Sequence, residues 1–80
     1  MRQYLKEKRY ILKSIKTRIA NKFNVSIAEV DYNDKWQRAT LGVAKVSSDV
    51  NSIDKVFSYI DNLLEKDTRI EVINRDVRIV

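Results

Sequence analysis

The 80-residue chain has no cysteine, no histidine and no proline, and a single glycine, Gly42. Without cysteine there is no disulfide and no thiolate chemistry, which suits a reducing compartment. Without histidine the commonest general base and the commonest metal ligand are missing together. The lack of proline and of Gly-rich stretches leaves no linker marked, so the sequence reads as one domain over residues 1–80. No apolar run approaches the ~18 residues that a membrane span needs, and the basic N-terminus lacks the apolar core of a signal peptide. The expected location is the cytoplasm.

What the sequence has is charge of one sign at one end. Residues 1–24 hold eight Lys/Arg against one acid, Glu7, a net +7. Residues 25–80 hold eight bases against ten acids, a net −2. Such asymmetry points to an anionic partner at the N-terminal end.

Periodicity supplies the elements. Leu12, Ile15, Ile19 and Phe23 recur at three- and four-residue steps within a helix expected over 5–23, with Asn24 as its stop. Residues 25–32 and 38–47 are rich in β-branched side chains and flank the turn signal Asn33-Asp34-Lys35, a hairpin. Ser48, Asp49, Asn51 and Ser52 can each cap a second helix with an apolar stripe of Ile53, Val56, Phe57, Ile60, Leu63 and Leu64. Residues 69–74 are expected as a last strand, prolonged by 77–80. The fold class is α+β, with two helices on one face of an antiparallel sheet: a ferredoxin-like βαββαβ sandwich lacking its usual first strand.

Small residues let helices approach a sheet closely, so Ala28, Val30, Gly42, Ala44, Val46, Ile70 and Val72 are assigned to the covered face. Glu29, Asp31, Lys45, Arg69 and Glu71 then fall on the open face, with Ile27, Leu41, Val43 and Ile73. That face is more apolar than a solvated one should be, which suggests a homodimer contact.

Arg2, Lys6, Arg9, Lys13 and Lys16 align in one helical stripe, roughly 110° from the apolar one. A charge run is ordinarily a solvated face. A merely soluble helix, however, mixes signs to gain i,i+4 pairs, and this one stacks like charges. The expected nucleic-acid-binding set is therefore Arg2, Lys6, Lys8, Arg9, Lys13 and Lys16, with Arg38 assisting. Five phosphate contacts would give a salt slope of about −3.5 on single-stranded RNA. A membrane-surface helix is disfavoured because the sheet needs the apolar stripe for its core.

Trp36, the lone tryptophan, has two readings. It can stack on an unpaired base, or it can cap a small core, the commoner use of such a residue. Glu29 and Asp31, two apart on a strand, are expected to share a face, with Asp34 near. Paired carboxylates can do acid–base work or hold Mg²⁺, but polar residues belong on an open sheet face and Lys45 or Arg69 can neutralise them. With no phosphate-cradling Gly-rich loop, the chain is expected to be a binding module and not an enzyme. No cofactor and no metal site are expected.

Three stretches carry a resemblance to a known family: 5-LKEKR-9, 23-FNVSIAEV-30 and 36-WQRATLGVA-44, the last being the most specific. In these the chain resembles the YlxP-like family of small bacterial proteins of uncharacterised function. The resemblance implies a ferredoxin-like fold in a bacterial cytosolic protein. It also implies relatives encoded among translation and ribosome-maturation genes, and so an RNA or ribosome partner. Members carry a hydrophobic strand before the Leu-Lys-x-Lys-Arg motif and a serine cap, where this chain has Met1-Arg2-Gln3 and Tyr4. A late start, replacement by Val77–Val80, or exchange with a second chain would each account for the difference. The alternative to an RNA-binding role is a homodimeric structural or protein-interaction domain.

Overall fold

The computed structural model describes residues 2–80, with the side chains of Arg2 and Gln3 outside the described set. The element order is α1 (Arg2–Lys22), β1 (Ser26–Asp31), β2 (Thr40–Ala44) and α2 (Val50–Lys66). The chain is therefore α+β, built on two helices and one antiparallel β1–β2 hairpin.

Each helix follows its apolar stripe. On α1, Leu12, Ile15 and Ile19 are buried, and on α2 Val56 and Ile60 are. Together Ile15, Ile19, Val56 and Ile60 make the centre of the core, against which Ile11, Phe23, Phe57, Leu63 and Leu64 pack. Burying such side chains is worth about 1.5–3 kcal/mol each, which holds helices that propensity alone would leave marginal. Of the four candidate caps, Asp49 is the one used: its Oδ1 accepts the Asn51 N–H at 3.0 Å. Phe23 meets Tyr59 edge-on, with centroids 5.3 Å apart, and joins the C-terminal end of α1 to α2.

The sheet presents the opposite face from the one expected. Ile27, Leu41 and Val43 pack against the core, while Ala28, Val30, Ala44 and Val46 are exposed. The reason is area. Burial stabilises roughly in proportion to apolar surface removed from water, and Ile, Leu and Val offer more of it than Ala and Gly. The small residues instead relieve crowding on the outer face: a Cβ on Gly42 would lie 3.0 Å from Val30 Cγ1.

Register pairs Ile27 with Val43, Ala28 with Gly42 and Glu29 with Leu41, but Asp31 with Thr40. Val30 is thus a bulge residue opposed by none. Side chains alternate along β2, so Thr40 points away from the face that Leu41 occupies. Asp31 consequently stands on the outer face and Glu29 on the inner one. The two carboxylates do not share a face, contrary to the simple two-residue count.

Residues 67–80 form no strand among the described residues, which corrects the expectation for 69–74 and 77–80. A strand exists only through hydrogen bonds to a neighbour, and here the segment pairs with neither β1 nor β2. The turn is set by Asp67, which caps α2 through its N–H to the Leu64 carbonyl and accepts both Arg69 N–H and Arg69 Nε–H at Oδ1. The hydrogen-bonded Arg69 guanidinium holds the Asp67 carboxyl at about 2, below its usual value of 3.8. Ile70 then reaches the core, and Arg75 pairs with Asp61 on α2. Val77–Val80 therefore does not replace a missing strand within this chain. No helix of the described residues is long and apolar enough to cross a membrane.

Candidate functional site

The 21-residue helix α1 positions the basic flank. At about 100° per residue, Lys6, Arg9, Lys13 and Lys16 fall within one sector roughly 80° wide. Lys6, Arg9 and Lys13 are exposed and Lys16 is half-buried along its stem. Among the described residues none of the four takes part in an ion pair. Glu7, the only acid on the helix, is exposed and lines a surface hollow together with Lys6, Tyr10, Ile11 and Arg69. The backbone of Arg2 continues the same row, but its side chain lies outside the described residues. Over the ten residues from Lys6 to Lys16 the flank runs about 15 Å, comparable to two or three phosphate spacings of a nucleic-acid strand.

Lys8 does not belong to this set. It is buried, 8% exposed, and its Nζ donates to the carbonyl oxygens of Tyr32 and Lys35. Glu29 Oε2 lies 2.7 Å from the same nitrogen and has no hydrogen-bond donor of its own, so the ion pair is its compensation. Two of the three ammonium protons go to the carbonyls, and the Glu29 carboxylate balances the charge. Lys8 cannot contact a phosphate without dismantling this arrangement. The sequence held a signal for it: Lys8 stands four before Leu12 and seven before Ile15, on the apolar stripe rather than the basic one.

What Lys8 holds is the loop between β1 and β2. Tyr32 sits at φ 64, a left-handed conformation costing a non-glycine residue about 1–2 kcal/mol. Its N–H bonds Asp31 Oδ1 at 2.8 Å and its carbonyl closes a turn with Lys35 N–H at 3.0 Å. Anchored there, the loop lays Trp36 on Tyr4 of α1, ring centroids 4.6 Å apart and planes 26° from parallel. Arg38 lies over the Tyr32 ring at 5.1 Å, a cation–π contact. Trp36 is 40% exposed and takes no part in the buried core, so it does not cap that core. Tyr4 is the partner that periodicity could have disclosed, since Tyr4, Lys8, Ile11 and Ile15 follow one another at steps of four, three and four.

The sequence-derived site thus divides in two. Tyr4 and Lys8 lie roughly 140° round α1 from the midline of the basic flank. Trp36 and Arg38 accordingly cluster on a different side from Lys6, Arg9, Lys13 and Lys16. Arg69 lines a shallow hollow with Lys6, Glu7, Tyr10 and Ile11, but its guanidinium is paired with Asp67. Glu29 and Asp31 are separated by the bulge, and Glu29 is tied to Lys8.

The family described as Protein of unknown function (DUF503) matches residues 2–77. A relative from Bacillus subtilis (strain 168), named Uncharacterized protein YlxP, is 49% identical over 65 residues, covering 76% of this chain and 71% of the relative. No solved structure matches the chain.

Proposed function

Given that the chain belongs to the DUF503, YlxP-like family of proteins of unknown function, we propose that it is a non-enzymatic module that binds RNA or the ribosome through the basic flank of α1. The observation that carries this reading is the row of exposed, unpaired cations at Lys6, Arg9 and Lys13, joined by Lys16, in a helix with one acid. Crowded like charges are unfavourable unless a polyanion relieves them, and phosphate contacts release counterions. The proposed place of action is the bacterial cytoplasm, as the family resemblance implies. The proposed topology is ferredoxin-like: the order helix, strand, strand, helix, with both helices on one sheet face, is the αββα segment of that arrangement.

The test is a titration against structured RNA or ribosomal subunits at 50 and 200 mM salt. Four phosphate contacts give a salt slope of about −2.8 on single-stranded RNA, hence a loss of about 50-fold between the two salts. The Lys6→Glu/Lys13→Glu double variant is expected to bind at least tenfold more weakly and to halve the slope. Binding that is indifferent to both salt and this variant would end the proposal.

A second reading, a homodimer with no RNA role, is favoured by a different observation. Val30 and Val46 stand exposed on the outer sheet face, and Val72, Ile73, Val77 and Ile79 are exposed along the C-terminal segment. Both hairpin strands also have an edge that pairs with no described strand. This reading expects light scattering to give twice the 9.4 kDa chain mass across micromolar concentrations. A mass that stays at one chain up to the highest concentration tested rules it out.

A further inference from the structure

The second cluster, on the Lys8 side of α1, has a chemistry of its own. It contains two stacked aromatic rings, Tyr4 and Trp36, which are 47% and 40% exposed. On the same loop, Arg38 lies over the Tyr32 ring two residues after Trp36, and Lys35 immediately precedes Trp36. Exposed stacked aromatics on a small domain need a reason, because the same rings placed in the core would bury 150–250 Å² each. The loop that bears them is fixed rather than loose. A nearly buried ammonium holds two of its carbonyls, and the turn at Tyr32 accepts a left-handed backbone to present them. Breaking a polar constellation of that kind is costly, so the loop geometry is firmly specified.

Two explanations of the stack compete. In one, Tyr4 and Trp36 only fasten the loop to the helix. But Lys8 of α1 already does that, through hydrogen bonds to two loop carbonyls, while its ion pair with Glu29 ties α1 to β1. In the other, the rings are a platform. Nucleobases stack on aromatic side chains whatever their sequence, because every base has a π-face, and cations nearby hold the flanking phosphates. The loop's own charge is small, with Asp34 against Lys35 and Arg38 between positions 32 and 38, and Asp31 just before them. An anion attracted by charge alone would choose the basic flank. What the loop offers is a pair of stacked, half-exposed rings with Lys35 and Arg38 one and two positions from Trp36 in the chain, which suits an unpaired base rather than a duplex backbone.

The geometry points to a base-stacking site at Trp36 and Tyr4 that takes an unpaired nucleobase, with Arg38 and Lys35 against its neighbouring phosphates. This rests on the reading of the chain as an RNA binder and adds to it a requirement for a single-stranded nucleotide. The backbone contacts of α1 and the base contact of the loop lie on different sides of one helix, so they engage different parts of the RNA.

Trp36 is the only tryptophan, so its emission reports on this site alone. The full chain is titrated with an eight-nucleotide oligouridylate and, separately, with an abasic ribose-phosphate oligomer of equal length. The expected result is quenching of Trp36 emission by oligouridylate and not by the abasic oligomer. The base-bearing oligomer should also bind about 5- to 150-fold tighter, the range for one stacked base. By anisotropy of labelled oligomers, Trp36→Ala should abolish that preference, while Trp36→Phe should retain most of it. Equal affinity for the two oligomers, or unchanged emission at saturation, overturns the site. The Lys6→Glu/Lys13→Glu variant separates the two proposals. If the basic flank is the phosphate contact, both oligomers weaken together while their ratio is kept. If only the flank proposal is wrong, neither affinity changes and the ratio still stands.

Discussion

Lys8→Ala is expected to destabilise the chain by about 3–5 kcal/mol, the cost of leaving one member of a buried ion pair alone. The residue left behind is Glu29, whose side chain is only 16% exposed and whose Oε2 has no other partner. Two loop carbonyls, at Tyr32 and Lys35, also lose a charged donor. A domain of this length has a total stability of about 4–12 kcal/mol, so the loss is a large fraction of the whole. Urea unfolding followed by far-UV circular dichroism measures it. A paired replacement tells interaction from burial. In Lys8→Met/Glu29→Leu the desolvation cost disappears with the charges, and stability is expected to return to within about 1–2 kcal/mol of the parent. If Lys8→Ala unfolds at the parent midpoint, the residue is a surface lysine and returns to the phosphate-binding set.

The second large effect is in the core. Ile19 is fully buried on α1 beside Val56 and Ile60 of α2, where the two helices and the inner sheet face meet. Ile19→Ala removes three methyl or methylene groups and leaves a cavity, costing about 3–4 kcal/mol. For a domain of this size each kcal/mol lowers Tm by roughly 4–8 °C, so a drop above about 12 °C is expected in a calorimetric scan. Ile19→Val should cost about 1 kcal/mol, because only one methyl is lost. A drop of a few degrees for the alanine variant would mean that α1 and α2 do not share a single core.

These two residues mark where sequence reading held and where it failed. Ile19 was legible because a helix repeats every 3.6 residues, so apolar positions at steps of three and four declare their own inner face. The stripe of α2 was legible for the same reason, and Asp49 was among the four caps offered. Lys8 is hidden by its chemistry: as a cation in a basic segment it groups with its neighbours by charge, although its angle puts it with Leu12 and Ile15. The sheet faces were inverted because a period of two gives two candidate faces and no label. Residue size points to one of them and apolar area to the other, and area decides. Asp31 fell on the wrong side of Glu29 because one bulge at Val30 shifts every later residue to the other face.

The sequence by itself determined the two helices, the hairpin, the family and the uneven distribution of charge. All of these follow from local periodicity, composition or motif, which need no knowledge of what touches what. Tertiary structure alone decided that Lys8 faces inward to Glu29, that Ile27, Leu41 and Val43 form the buried sheet face, that Trp36 meets Tyr4, and that residues 67–80 pair with no strand. Each of these depends on a partner far along the chain. Whether a charge is solvated or compensated, and whether a β-prone segment becomes a strand, is settled by the neighbour it finds on folding.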